Sequence, residues 1–191
     1  MNSENRTNAS GTTNEPLVGI IVGSASDLDV AKKAADILKE FGVEFEMGIA
    51  SAHRTPDDVV CYASSAEGRG IKVIIAMAGL SAALPGVIAA NTTLPVIGVP
   101  VASGPLSGSD ALLAIAQMPP GVPVACMGID GAKNAALMAL RIISTHNEGL
   151  TWKLAGWAQK NGEDVRKSRK KLKELDGVRA VPTHVFQPDM E

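Results

Sequence analysis

"LVGIIVGSASD" (residues 17–27) opens with a run that is apolar or glycine at every position. A strand with one wet face would alternate, so this run reads as a strand buried on both faces, as in a parallel sheet covered by helices. Its glycine and the two serines after it turn the chain. From Asp29 to Phe41, "DVAKKAADILKEF" is apolar at Val30, Ala34, Ile37, Leu38 and Phe41, which is helical spacing. The same alternation continues outward. "VEFEMGIA" reads as a second strand, taken as central, and a helix follows over 56–68. "KVIIAMAG" is then a strand, with a short helix near 84–92, and "PVIGVPV" is a strand with a helix near 108–117. "VPVACMGI" is the fifth strand, followed by "GAKNAALMALRIIS" and a helical run from 147 to 175. The expected fold is a doubly wound α/β three-layer sandwich around a five-stranded, or slightly larger, parallel sheet.

Composition agrees. The 191 residues are 46% hydrophobic but only 3% aromatic, so the core is aliphatic. A net charge of −2 gives no electrostatic case for nucleic acid. Cys61 and Cys126 both fall inside expected elements, which favours buried free thiols over a disulfide or metal pair. No apolar run approaches the roughly 18–20 residues of a membrane span, and no signal-peptide pattern opens the chain, so a cytoplasmic protein is expected. Residues 1–15 are polar and aperiodic and read as a disordered tail.

Ligands of such folds bind at the carboxyl ends of the strands, where strand order reverses. The loops there are therefore the places to look. In "GSASD" (23–27), Gly23 permits a tight turn, Ser24 and Ser26 supply hydroxyls, and first-turn N–H groups can hold a phosphate. Asp27 can accept from a ribose diol. Ser26 with Asp29 also fits a capping box, a purely structural role. The loop is neither a Walker A sequence nor the glycine fingerprint of dinucleotide folds.

"SAHRTP" (51–56) follows the second strand. Thr55 reads as the N-cap, with Pro56 first in the helix and Asp57 and Asp58 at its positive end. His53 and Arg54 are not needed for that start. Histidine is the proton carrier of neutral pH, and arginine makes a forked contact with phosphate or carboxylate. The pair points to an anionic substrate that gains or loses a proton once, although a boundary histidine and an ion-paired arginine would also account for it.

"AGLSAALPG" (78–86) and "SGPLSG" (103–108) carry small side chains and no charges. They suit a tight, weakly polar pocket for a small neutral molecule such as carbon dioxide. Paired-carboxylate and metal-hydrolysis machinery is missing from both. A flavin carrier would need aromatics to stack on its flavin, and none of the six aromatics lies in these loops. A phosphorylated receiver would need an aspartate where the chain has "AMAGLS".

"GSASD", "SAHRTP", "LPGVIAA", "PVIGVPV", "LSGSDALL" and "QMPPGVPVA" resemble, in order and spacing, the PurE family of purine biosynthesis, over roughly Val18 to His146. The resemblance implies a flavodoxin-like sandwich, a homo-octamer with active sites where subunits meet, and no metal or cofactor. Class I members move a carboxylate from nitrogen to ring carbon, turning N5-carboxyaminoimidazole ribonucleotide into 4-carboxy-5-aminoimidazole ribonucleotide. Class II members make the same product from aminoimidazole ribonucleotide and free carbon dioxide. Here Ala83 stands where class I has a histidine before Leu-Pro-Gly, whereas Arg54-Thr55-Pro56, Pro85 and Gln117-Met118 look like class I and 130–142 like class II. A mutase is the first expectation, and a carboxylase or a non-catalytic nucleotide-binding paralogue the alternatives.

His53 is the expected proton shuttle. Ser24, Ser26, Asp27, Ser51, Ala52, Arg54, Ala78, Gly79, Leu80, Ser81, Leu84, Pro85, Ser107 and Gly108 are the expected substrate contacts. The ribonucleotide and carbon dioxide would be the partners, with no nucleic acid and no membrane. By domain, 16–146 is the catalytic unit. Residues 147–176 form a helix packing on a neighbouring subunit, with Leu150, Leu154, Trp157 and Ala158 on one face, and 177–191 an extended tail.

Overall fold

The computed structural model describes residues 15–186. Residues 1–14 and 187–191 lie outside the described residues, and with them most of the expected N-terminal tail and the last part of the C-terminal one. The chain divides into two compact units after Leu150.

The first unit holds five strands: β1 (Val18–Val22), β2 (Phe45–Ile49), β3 (Val73–Ala78), β4 (Val96–Pro100) and β5 (Ala125–Cys126). All pair in parallel, in the order β2-β1-β3-β4-β5. The helices are α1 (Leu28–Phe41), α2 (Pro56–Ser65), α3 (Leu84–Ala89), α4 (Ser109–Ala116), α5 (Ala132–Ser144) and the start of α6 (Glu148–Ser168). α1 packs with α5 on one face of the sheet, while α2 packs with α3 on the other. β1, β3 and β4 are buried at every residue, as their unbroken apolar runs require.

α1 buries Ala31, Ala34, Ala35, Ile37, Leu38 and Phe41, the face its spacing predicts. Gly42 ends it at φ +69, its N–H on Lys39 O at 3.0 Å, while Val43 N–H reaches back to Leu38 O at 3.0 Å. This is a Schellman stop, and glycine supplies its left-handed residue.

Several expectations need correction. β2 is an edge strand, not a central one, and Met47 and Ile49 are exposed. Its alternation of Glu44 and Glu46 with apolar residues already describes a half-covered face. There Arg69 pairs with Glu46 at 2.8 Å and lies 4.8 Å from the centroid of the Tyr62 ring. Burial raises the Glu46 carboxyl, but the hydrogen bond and charge of Arg69 outweigh it and leave the pKa below the usual value.

β5 shrinks to two residues because it is the opposite edge and follows Pro119, Pro120 and Pro123, which have no N–H to donate. Its ladder continues irregularly through Met127 N–H to Gly98 O (2.9 Å) and Asp130 N–H to Pro100 O (2.8 Å). α2 stops at Ser65 and a 3-10 turn, Glu67–Arg69, follows. Both thiols are free, but Cys61 is exposed and Cys126 only part-buried, packed against the core. Ser26 and Asp29 form no capping box: Ser24 Oγ accepts from Ser26 N–H (3.4 Å), and Asp29 pairs with Lys32 (3.0 Å).

In the second unit, α6 ends at Ser168 rather than running to 175, and a 3-10 segment, Arg169–Glu174, follows. The tail is not wholly extended. Thr183–Phe186 makes a 3-10 turn, and the Arg169 guanidinium sits 4.0 Å from the Phe186 ring centroid. Trp152 is 70% exposed.

In β4, a Cβ at Gly98 would run into Ile115 of α4 and come within 2.9 Å of Val124 and 3.3 Å of Pro85. The missing side chain is what lets α3 and α4 lie close on the sheet. Gly98→Ala is expected to cost about 1–3 kcal/mol, read as a lower urea midpoint with an unchanged slope.

Candidate active site

The strand order reverses between β1 and β3, so the loops leaving their carboxyl ends part there. A cavity of about 590 Å³ opens at that place, lined by the loops after β1, β2, β3 and β4. The edge position of β2 brings "SAHRTP" directly beside "GSASD", since β1 and β2 are neighbours in register from Val18↔Phe45 to Val22↔Ile49.

One wall is polar. Gly23 is held by its N–H on Met77 O at 3.1 Å, so the first loop leaves β1 against β3. Asp27 is the one charged side chain buried among the described residues, and its Oδ1 accepts from Ser26 Oγ at 3.0 Å. Arg54 is folded onto this wall. Its Nη2 donates to Gly23 O (3.3 Å) and its Nε to Ser51 Oγ (3.4 Å), while its backbone N–H also reaches Ser51 Oγ at 3.3 Å. Among the described residues no carboxylate forms an ion pair with it. Thr55 takes the N-cap position but does not cap: its Oγ1 accepts from Ser51 N–H at 3.0 Å and closes the 51–55 turn. Pro56 begins α2 as expected.

His53 lies at the tip of that turn, exposed, lining the cavity and without a hydrogen-bond partner among the described residues. The other wall is apolar and small: Ala52, Ala78, Gly79, Leu80, Ala82, Ala83 and Leu84, with Ser81 and Ser103 as its hydroxyls. Ala83 is the N-cap of α3, also without a side-chain cap bond. Among the described residues no group of three His, Cys, Asp or Glu side chains is placed to hold a metal ion.

His53 and eleven of the expected contacts line one cavity: Ser24, Ser26, Asp27, Ser51, Ala52, Arg54, Ala78, Gly79, Leu80, Ser81 and Leu84. Pro85, Ser107 and Gly108 are not among its lining residues. Pro85 is buried toward Gly98, Ser107 is exposed at φ +50, and Gly108 precedes α4 at φ +89 beside Ile129. Gly23, Ala82, Ala83 and Ser103 line the cavity but are absent from the expected set. Gly23 and Ser103 each begin a loop that was expected there, so position just after a strand would have found them. Alanine carries no such mark.

The family model described as AIR carboxylase matches residues 17–164. The chain belongs to the AIR carboxylase, or PurE, family. It is 55% identical over 161 residues to the N5-carboxyaminoimidazole ribonucleotide mutase of Pyrococcus horikoshii, covering 84% of this chain and 91% of that one. It is 52% identical over 158 residues to the phosphoribosylaminoimidazole carboxylase of Saccharomyces cerevisiae, covering 83% of this chain and 28% of that one. The crystal structure of Treponema denticola PurE superposes with a TM-score of 0.75 at 34% identity, over 83% of this chain and 99% of that one. The PurE sandwich is therefore the fold the sequence pattern anticipates.

Proposed function

We propose that this chain is an N5-carboxyaminoimidazole ribonucleotide mutase of purine biosynthesis. The observation that carries the reading is the meeting of three things in one cavity: an unpaired Arg54 among serines, an uncommitted His53, and a wall of small apolar residues. Arg54 with Ser24, Ser26 and Ser51 holds the phosphate end, and the buried Asp27 accepts from the ribose hydroxyls. The apolar wall takes the carboxyl group once it has become carbon dioxide.

The proton count fits a single imidazole. Breaking the carbamate C–N bond returns an electron pair to nitrogen, which takes a proton, and frees carbon dioxide. Attack of the ring carbon on carbon dioxide makes the new C–C bond, and loss of that carbon's proton restores the aromatic ring. One proton is given and one is taken back, so His53 can shuttle it with no net exchange. Proton transfer of this kind supplies about 10²–10⁴-fold, and holding carbon dioxide against the ring supplies much of the rest.

The second reading is a carboxylase that takes aminoimidazole ribonucleotide and free carbon dioxide; Ala83 in the cavity favours it. Two parallel assays separate them, one with the N5-carbamate and one with aminoimidazole ribonucleotide plus bicarbonate. Fast product from the carbamate supports the mutase, and fast product only from the other mixture assigns the carboxylase. No turnover in either, with nucleotide still bound, assigns a binding paralogue.

As in the rest of this reading, the working form is a cytoplasmic homo-octamer with active sites where subunits meet. Residues 16–146 are the catalytic unit, and the segment over 147–176, which begins with α6, docks on a neighbouring subunit. Arg54→Lys is expected to raise KM about 10–100-fold with kcat little changed, since it removes charge-assisted hydrogen bonds made equally in ground and transition states. A fall in kcat at constant KM would remove Arg54 from the phosphate.

A further inference from the structure

Leu80 sits in the left-handed region at φ +53. Glycine enters that region freely, while a branched side chain enters it under strain. Core burial does not offset the strain, because Leu80 is 51% exposed. Two contacts hold it there. A Cβ on Gly104, itself at φ +66, would strike Leu80 Cδ2, and a Cβ on Gly79 would strike Ser103 Oγ. The loops after β3 and β4 therefore meet at two points, 79 against 103 and 80 against 104. Two tight turns follow, Ala82 N–H to Leu80 O (2.8 Å) and Ala83 N–H to Ser81 O (2.7 Å).

The rest of the apolar wall is alanine and glycine, apart from Leu84, which is 2% exposed and offers almost no surface. Leu80 is thus the one large apolar side chain of that wall able to cover a small molecule. We propose that Leu80 is the cover of the carbon dioxide pocket, retaining the molecule between its release from nitrogen and its capture by the ring carbon. The proposal rests on the mutase reading and deepens it. The strain has a use: a flexible glycine would free the backbone but leave the intermediate open to solvent.

The test supplies the N5-carbamate in labelled bicarbonate and counts label in the 4-carboxy product, with an enzyme-free blank subtracted. Carbon dioxide that escapes is replaced from the labelled pool and leaves free aminoimidazole ribonucleotide behind. Leu80→Gly and Leu80→Ala should raise the labelled fraction about tenfold over the unsubstituted protein, the change expected from losing roughly one side chain's apolar contact. Leu80→Met should keep it low. Thermal unfolding checks that each variant is folded, and Leu80→Gly should be no less stable than the parent. If the parent makes product from the carbamate and Leu80→Gly incorporates no extra label, the cover is overturned. If both truncations lose all turnover while folded, Leu80 is a substrate contact instead and the cover is again overturned. A parent that makes no product from the carbamate fails at the earlier step, the mutase reading itself.

Discussion

His53→Asn is expected to lower kcat by about 10²–10⁴-fold while leaving the affinity for aminoimidazole ribonucleotide unchanged. Asparagine keeps a polar group of similar reach but cannot carry the proton. The ring makes no hydrogen bond to the described protein, so its loss removes no contact that the fold uses. A proton-shuttle role also has a signature that a structural role lacks. The ring-carbon proton of bound aminoimidazole ribonucleotide should wash out into deuterated water with the parent protein and stop doing so with the variant. A loss of kcat below about tenfold, with washout intact, would move the proton to another group.

Ile75→Ala should give the largest loss of stability, about 2–5 kcal/mol. Ile75 is fully buried in β3, with Ile20 beside it in β1 and Ile97 beside it in β4. Ile74 and Ala76 point to the α2–α3 face, so Ile75 points to the opposite one, and its truncation leaves a void between the sheet and the α1–α5 layer. The loss should appear as a lower urea midpoint at constant slope. Met47→Ala on the edge strand, where the side chain is 38% exposed, is the comparison and should cost within about 0.5 kcal/mol. Equal effects at the two positions would contradict the strand order.

Much of this is legible in the sequence alone. "LVGIIVG", "KVIIAMAG" and "PVIGVPV" are apolar throughout because both faces of β1, β3 and β4 are covered, and burial leaves a direct mark on residue type. The helical face of α1 follows from the same cause. His53 and Arg54 stood out because nothing local needed them, and both line the cavity. Edges were harder to read. β2 pairs on one side only, and the one local mark of this is the alternation of Glu44 and Glu46 with apolar residues, which tells of a half-covered face but not of a place at the edge. β5 was shortened by prolines whose effect depends on which neighbour wants their N–H.

The local pattern of this chain, strand then loop then helix, and the chemistry stored in each loop, belong to the sequence. Periodicity reports how each element meets its own surroundings, and that is a short-range fact. The tertiary structure decided the rest. It placed β2 at the edge beside β1, so that Arg54 reaches Gly23 across 31 positions of chain. It chose Ser103 over Ser107 for the cavity and forced Leu80 into a left-handed turn against Gly104. Those are contacts between loops that only strand order brings together, and no residue's own type records which distant loop it will meet.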